Sequence, residues 1–316
     1  MALNGHASGR RIRFGLLVHG AGAAREWREL AKQAFELGYG TLLVPDHFGR
    51  QLAPFAALVA AAEAVAGLRV GTFVLDNDFR HPALAAKEAA TVDLLTDGRL
   101  ELGIGAGWNP ADYAKTGLVF EPAGTRVARL AEAVQIIKAF FGAPDERVSF
   151  QGQHYAVNDL DAWPKPVQQP RPPLLLGAAG KRMLTLAAQE ADILNFPDRP
   201  SHGVSTAGNP ALGLTFEEQI AIVRSAAGKR YAQLELSSLV IPRITDRPTE
   251  TYAQLASQMQ TTPEVIEAMP GALVGTVDAI EDKLKRNRQQ YDLSYFVVPG
   301  AAMEQMAPLV ARLAGT

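Results

Sequence analysis

Cysteine is absent from this chain of 316 residues, which excludes disulfide frameworks, thiolate metal centres and cysteine nucleophiles. A dominant charge is missing too. With 31 Lys and Arg against 33 Asp and Glu, the net charge of −2 supplies no general field for nucleic acid or an anionic membrane. No apolar run reaches the ~18 residues of a membrane span. Met1–Arg10 has no apolar core of the kind a secretory signal carries. The expectation is a soluble, cytoplasmic protein acting on small molecules, with no nucleic-acid or membrane partner. The histidines offer no His-x-x-x-His spacing, so no metal site is expected. Ser201 and Ser205 flank His202 without a Gly-x-Ser-x-Gly elbow, which leaves nucleophilic hydrolysis unsupported.

The stretch from Arg69 to Tyr113 organises the rest. Arg69–Leu75 is short, apolar and β-branched, as a buried strand should be. Pro82 stands where a helix tolerates a residue without N–H, and Gly98 where a helix ends. Arg99–Ile104 reads as a second strand. A right-handed crossover makes the two strands parallel and brings their C-termini to one rim. Asp76, Asn77, Asp78 and His81 then share that rim with Gly105, Ala106, Gly107 and Trp108.

Similar units flank this one. Strands are expected at 12–18, 41–45, 173–177, 192–196, 233–241 and 293–298, and helical segments at 23–37, 54–65, 126–141, 216–227, 248–269, 277–289 and 303–313. Residues 148–157 read as a hairpin turning at Gln151-Gly152, and the proline-rich run 164–173 as an extended connector. Eight strands alternating with helices predict a single (β/α)8 TIM-like barrel with insertions over 1–316, with an open doubly wound sheet as the structural alternative. Residues 1–11 read as a flexible tail and 197–213 as a mobile loop or site cover.

Within this frame Asp46-His47, at a strand end, leads the site candidates, because imidazole is readily poised for proton transfer near neutral pH. A rim histidine bonded to Asp46 and holding a loop is the competing reading. Asp46 itself suits ligand contact or histidine orientation. Asn77 is placed either to bond a ligand edge or to make a turn. The Gly103-x-Gly105-x-Gly107-Trp108 run is not a dinucleotide fingerprint: the third glycine comes one residue early, and no acidic partner follows where it is needed. Gly177-Ala178-Ala179-Gly180-Lys181-Arg182, between strand and helix, offers backbone N–H groups, a helix N-terminus and two cations to a phosphate, or is a plain glycine turn.

Asp46-His47-Phe48, Arg80-His81-Pro82, Ala86-Lys87-Glu88, Asp93, Asp97-Gly98-Arg99-Leu100, Gly103–Trp108, Trp163-Pro-Lys-Pro166, Leu176–Arg182 and Gly275-Thr276 are individually weak marks. In this order and spacing they resemble the bacterial-luciferase-like flavin- or deazaflavin-dependent oxidoreductases, in particular their coenzyme F420-dependent branch. The resemblance implies a TIM-like barrel with an insertion near strands seven and eight, frequent dimerisation, and a cofactor ring at the strand C-termini. It further implies His47 as the catalytic base, a non-prolyl cis peptide at Phe73-Val74 behind the ring, and small residues at 105–107 that let the ring approach. On the residues alone, Phe73-Val74 is equally an ordinary buried pair. F420 is the expected cofactor. FMN, in a monooxygenase, is the alternative, and a non-catalytic flavin-binding barrel is a second. Relatives acting on sugar phosphates carry a carboxylate where this chain has Trp108, which favours a flatter, more apolar substrate.

Overall fold

The computed structural model describes residues 9–143, 145–197 and 213–316. His6, Ser201, His202, Ser205 and most of the expected tail and mobile loop lie outside them. In chain order the elements are β1 (Arg13–Leu17), α1 (Ala24–Glu36), β2 (Thr41–Val44), α2 (Pro54–Ala64), β3 (Arg69–Thr72), β4 (Leu75–Asp76), α3 (Pro82–Leu95) and β5 (Leu100–Gly105). Then come α4 (Pro110–Thr116), α5 (Ala123–Phe140), β6 (Arg147–Gln151), β7 (Ala156–Asp161), β8 (Leu174–Gly177), α6 (Lys181–Glu190), β9 (Ile193–Phe196) and α7 (Phe216–Ala227). The chain continues through β10 (Glu235–Leu239), β11 (Ile241–Ile244), α8 (Pro248–Gln258), α9 (Pro263–Ala268), β12 (Ala272–Gly275), α10 (Val277–Tyr291), β13 (Leu293–Pro299) and α11 (Met303–Leu313).

The main sheet runs β3-β2-β1-β13-β10-β9-β8-β5-β4, and β3 pairs with β5 as well. Because β4 prolongs β3, these are eight strand positions, and the extra pairing closes the ring. The fold is therefore the expected (β/α)8 barrel, and the open sheet is excluded. Strands such as β2 and β5 are buried at every residue, as a strand covered on both faces must be.

The chain divides into two compact units. One comprises Val18–Gln33 and Thr41–Leu176. In it α2 buries Pro54, Ala57, Leu58, Ala61 and Ala62. Its C-terminal end is capped from a distance: Arg99 Nη1 donates to the carbonyls of Ala62, Val65 and Leu68 at 3.0, 2.8 and 3.1 Å. A cation there satisfies carbonyls that the helix leaves without partners. α3 starts at Pro82 with the His81 ring accepting from Ala83 N–H. Near its end the fully buried Asp93 accepts from the backbone N–H of Leu100 and Gln168 and from Gln168 Nε2, tying down the proline-rich connector. The hairpin β6–β7 forms as expected, its turn held by Glu132, which accepts the N–H groups of Gln153, His154 and Tyr155 at 2.8–3.0 Å. The expected continuous strand 69–75 is instead broken by a cis peptide at Phe73-Val74.

The other unit comprises the residues up to Leu17, Ala34–Gly40 and Gly177–Thr316. Here β13 pairs in parallel with both β1 and β10. Arg13 grips Glu235 through two 2.8 Å bonds and lays its guanidinium 3.5 Å from the centre of the Tyr295 ring. The expected strand 233–241 is divided. Val240 N–H still bonds Val297, but Ile241 N–H turns to Gly271, so β11 pairs with β12 in a separate parallel sheet. The expected helical run 248–269 is likewise split into α8 and α9, with Gln260 between them at a φ of 51°. Leu255, Ala256, Ile266, Met269, Ala272 and Val274 form the small core of this insertion between β10 and β13.

Candidate active site

Strand β2 delivers Asp46 and His47 to the rim. His47 Nδ1 lies 2.7 Å from Asp112 Oδ2. The Asp112 carboxylate is fixed in turn by Asn109 Nδ2 at 2.8 Å and by the N–H of Phe48 at 3.2 Å. Asp112 is only 2% exposed, whereas a good part of the His47 ring remains open. In the neutral ring the proton on Nδ1 is held by the carboxylate, which leaves Nε2 as the nitrogen for proton exchange. The Trp108 ring meets this imidazole edge-on, with centroids 5.5 Å apart.

Asp46 does not orient His47. It pairs with Arg80 at 2.6 and 3.1 Å and accepts the N–H of Asp76 at 3.1 Å. The partner that orients His47 was missed because Asn109-Pro110-Ala111-Asp112 is also a standard helix start, in which an acid at the third helical position satisfies backbone donors. The signal available in the sequence was a carboxylate one turn past the rim of β5.

The backbone turn at Phe73-Val74 lies between β3 and β4. Gly103 packs so tightly against β3 that a Cβ would collide with the Thr72 carbonyl, and a Cβ on Gly105 would meet Val74 Cγ2 at 2.9 Å. Gly107 has a φ of 73°, and a Cβ there would strike the Tyr113 hydroxyl and Asp76 carboxylate. The protein's own packing thus requires all three glycines. Arg126 pins the same loop by donating to the carbonyls of Ala106 and Gly107. Asn77 is 2% exposed and donates from Nδ2 to Tyr155 Oη at 3.1 Å, while its Oδ1 is buried with no partner in the protein.

Beneath the Gly107 loop, the Tyr113 hydroxyl lies 3.1 Å from Asp76 Oδ1 and 2.9 Å from Asp78 Oδ2, and Arg129 pairs with Asp78 at 2.8 Å. Burial pushes the Asp76 carboxyl up from 3.8 to about 6, with the charges of Asp78 and Asp46 adding to the effect. Because the folded state holds this proton more tightly, Asp76 contributes full stability below pH ~4, and the contribution is lost as pH rises through about 6. The difference is about 3 kcal/mol at 1.36 kcal/mol per pKa unit. Denaturant unfolding from pH 4 to 8 should show Asp76→Asn gaining on wild type over that window. A stability difference independent of pH would contradict the assignment.

Gly177–Arg182 belong to the other unit. Ala178 N–H bonds the Asn195 carbonyl at 2.9 Å. Gly180 precedes α6 at a φ of 76°, no side chain caps the helix, and the space beside its Cα is open. Lys181 and Arg182 are exposed on the first turn. Asp46, His47, Phe73, Val74, Asn77 and Gly105–Trp108 all fall in the unit described above. Among the described residues no cluster of three or more His, Asp or Glu is arranged to hold a metal.

The closed (β/α)8 barrel thus carries a histidine–aspartate pair at its rim. The chain belongs to the luciferase-like monooxygenase family, which it matches over residues 11–309. It is 31% identical over 176 residues to an F420-dependent glucose-6-phosphate dehydrogenase of Amycolatopsis mediterranei, covering 53% of this chain and 52% of that protein. To an FMNH(2)-dependent dimethylsulfone monooxygenase of Pseudomonas putida it is 27% identical over 227 residues, or 72% of this chain and 56% of that one. The chain thus spans about half the length of the curated relatives it matches. The coenzyme F420 dependent tetrahydromethanopterin reductase of Methanopyrus kandleri shares the fold, with a TM-score of 0.76 at 18% identity, covering 96% of this chain and 99% of that one.

Proposed function

We propose that the protein is a coenzyme F420-dependent oxidoreductase acting on a small organic substrate. The observation that carries this reading is the His47–Asp112 pair, an imidazole locked at Nδ1 and partly open to solvent at the rim. Bound F420 supplies hydride chemistry, which must be matched by proton movement on the substrate. His47 exchanges that proton through Nε2, Asp112 holds the ring and stabilises its cationic form, and Trp108 packs edge-on against the imidazole. The fit to a ring cofactor rests on Asn77 Oδ1, a buried acceptor awaiting a donor. Asp46, Phe73, Val74, Gly105, Ala106, Gly107 and Trp108 are proposed as further ring contacts. The loop Gly177, Ala178, Ala179, Gly180, Lys181 and Arg182 is proposed to bind phosphate, because its helix start has no side-chain cap and carries two cations. The exposed aromatic face of Trp108 suits a flat, apolar substrate better than a sugar phosphate.

Reduced FMN with oxygen is the second reading, supported by the FMNH(2)-dependent relative, whose match extends over 72% of this chain. Titration with F420 and with FMN, followed by fluorescence quenching, distinguishes the two. Tighter binding of F420 is expected. Tighter FMN binding together with NADH-coupled oxygen uptake would reverse the choice. A homodimer is proposed as well, supported by Leu84 and Leu95, which are exposed on one face of α3 eleven residues apart.

A further inference from the structure

Asn77 is held from an unexpected direction. Its Nδ2 is taken by the hydroxyl of Tyr155, which sits at the end of the β6–β7 turn and meets the His81 ring edge-on at 5.3 Å. Within the turn, Gly152 N–H bonds the Tyr155 carbonyl at 2.9 Å, and α5 supplies the rest of the support. Three successive N–H groups of the turn, from Gln153 to Tyr155, all point at the carboxylate of Glu132 on α5. The negative charge of Asp78 lies near enough to Tyr155 to reinforce the upward shift that burial imposes on the phenol. In the bond itself the Tyr155 oxygen accepts from Nδ2 through a lone pair. A flipped amide would trade this bond for one from the hydroxyl to Oδ1, so Oδ1 stays uncommitted only while Nδ2 donates to Tyr155. The buried Oδ1 of Asn77 is therefore presented to a ligand as an acceptor and nothing else.

We infer that Tyr155, latched by Glu132, is a positioning residue that fixes the Asn77 amide so that Oδ1 selects a ligand with an N–H donor, such as the pyrimidinedione edge of a flavin or deazaflavin. This rests on the cofactor reading given above and adds a donor requirement together with the residues that impose it. A ligand offering an acceptor at that point would leave two oxygens facing each other in a buried site, and one offering a hydrocarbon edge would leave Oδ1 unpaired.

The test is a thermodynamic cycle read by binding, with F420 and FMN as the probes. Tyr155→Phe removes only the hydroxyl and should raise the Kd of the preferred cofactor about tenfold, the loss expected when a buried acceptor is no longer held in register. Asn77→Ala should raise it at least as much, and the double variant no further. The side-chain amide 15N resonance of Asn77 should shift in cofactor-free Tyr155→Phe, a change that general loosening of the hairpin would not confine to one amide. Glu132→Ala, which leaves the Asn77 surroundings intact, should weaken binding in the same direction and covers the case in which Tyr155→Phe folds poorly. Wild-type affinity in both the Tyr155 and Glu132 variants, or strict additivity of Tyr155→Phe with Asn77→Ala, would overturn the inference while leaving the cofactor reading intact. Failure of the wild-type protein to bind either F420 or FMN would overturn both.

Discussion

Replacing His47 with alanine should lower turnover by about 10²- to 10⁴-fold, the usual contribution of a positioned acid–base group, on any substrate the wild type converts. Cofactor affinity should change far less than turnover, because the imidazole bonds to Asp112 and meets the proposed ring bed, 73–77 and 105–108, only at the edge of Trp108. The two readouts together identify a proton-transfer role, since a residue that merely shaped the rim would change affinity and rate alike. Asp112→Ala should follow in the same direction with a smaller loss. It removes the partner that fixes the Nδ1 proton and also deprives Phe48 N–H and Asn109 of their acceptor. Steady-state kinetics paired with fluorescence titration provides the check. Turnover of His47→Ala within a few-fold of wild type would remove proton transfer from this side chain and favour a binding role for the barrel.

Gly103→Ala should have the largest effect on stability of any single methyl group. The added Cβ would meet the Thr72 carbonyl and Val74 Cγ1, and the carbonyl is backbone, so it cannot rotate aside. Thr72 also exchanges two bonds with Gly103, from its hydroxyl to the carbonyl at 2.7 Å and from the Gly103 N–H to the hydroxyl at 2.8 Å. Parting the strands enough to admit the methyl would break both bonds. Overpacking of this kind costs about 3 kcal/mol or more where backbone must move. Thermal unfolding should place the variant well below wild type, or show no cooperative transition at all. Gly180→Ala is a useful contrast: open space surrounds it, and only its φ of 76° disfavours alanine. A Gly103→Ala protein with wild-type melting would show that β3 and β5 are less closely apposed than described.

The elements that could be read from the sequence are those in which one physical rule acts alone. Helix starts at Pro54 and Pro82, a glycine stop at Gly98 and buried strands follow from chain stiffness and burial, and they stand where the pattern puts them. Legibility was lost where two rules meet in one residue. Asp112 satisfies both helix-start chemistry and histidine orientation, and only the three-dimensional partner reveals the second. Asp46 adjoins His47 in sequence, yet successive residues at a strand end point apart, and Arg80, 34 residues away, claims it. The division at Val240–Ile241 depends on the competing acceptors Val297 and Gly271, which no local window contains. Several marks that carry the family resemblance turn out to be fasteners. Arg99 closes a helix end and Asp93 anchors a connector, so their spacing reports the barrel more than the reaction.

The position of Trp108 gives the molecule a built-in optical reporter. Of the three indoles, Trp27 is sealed at 3% exposure with its N–H on the Ala57 carbonyl, and Trp163 stands 69% exposed beside the connector. Trp108, 42% exposed, alone has an imidazole against its ring. Its emission is therefore tied to the charge and contacts of His47, and can follow events at the barrel mouth without any added label.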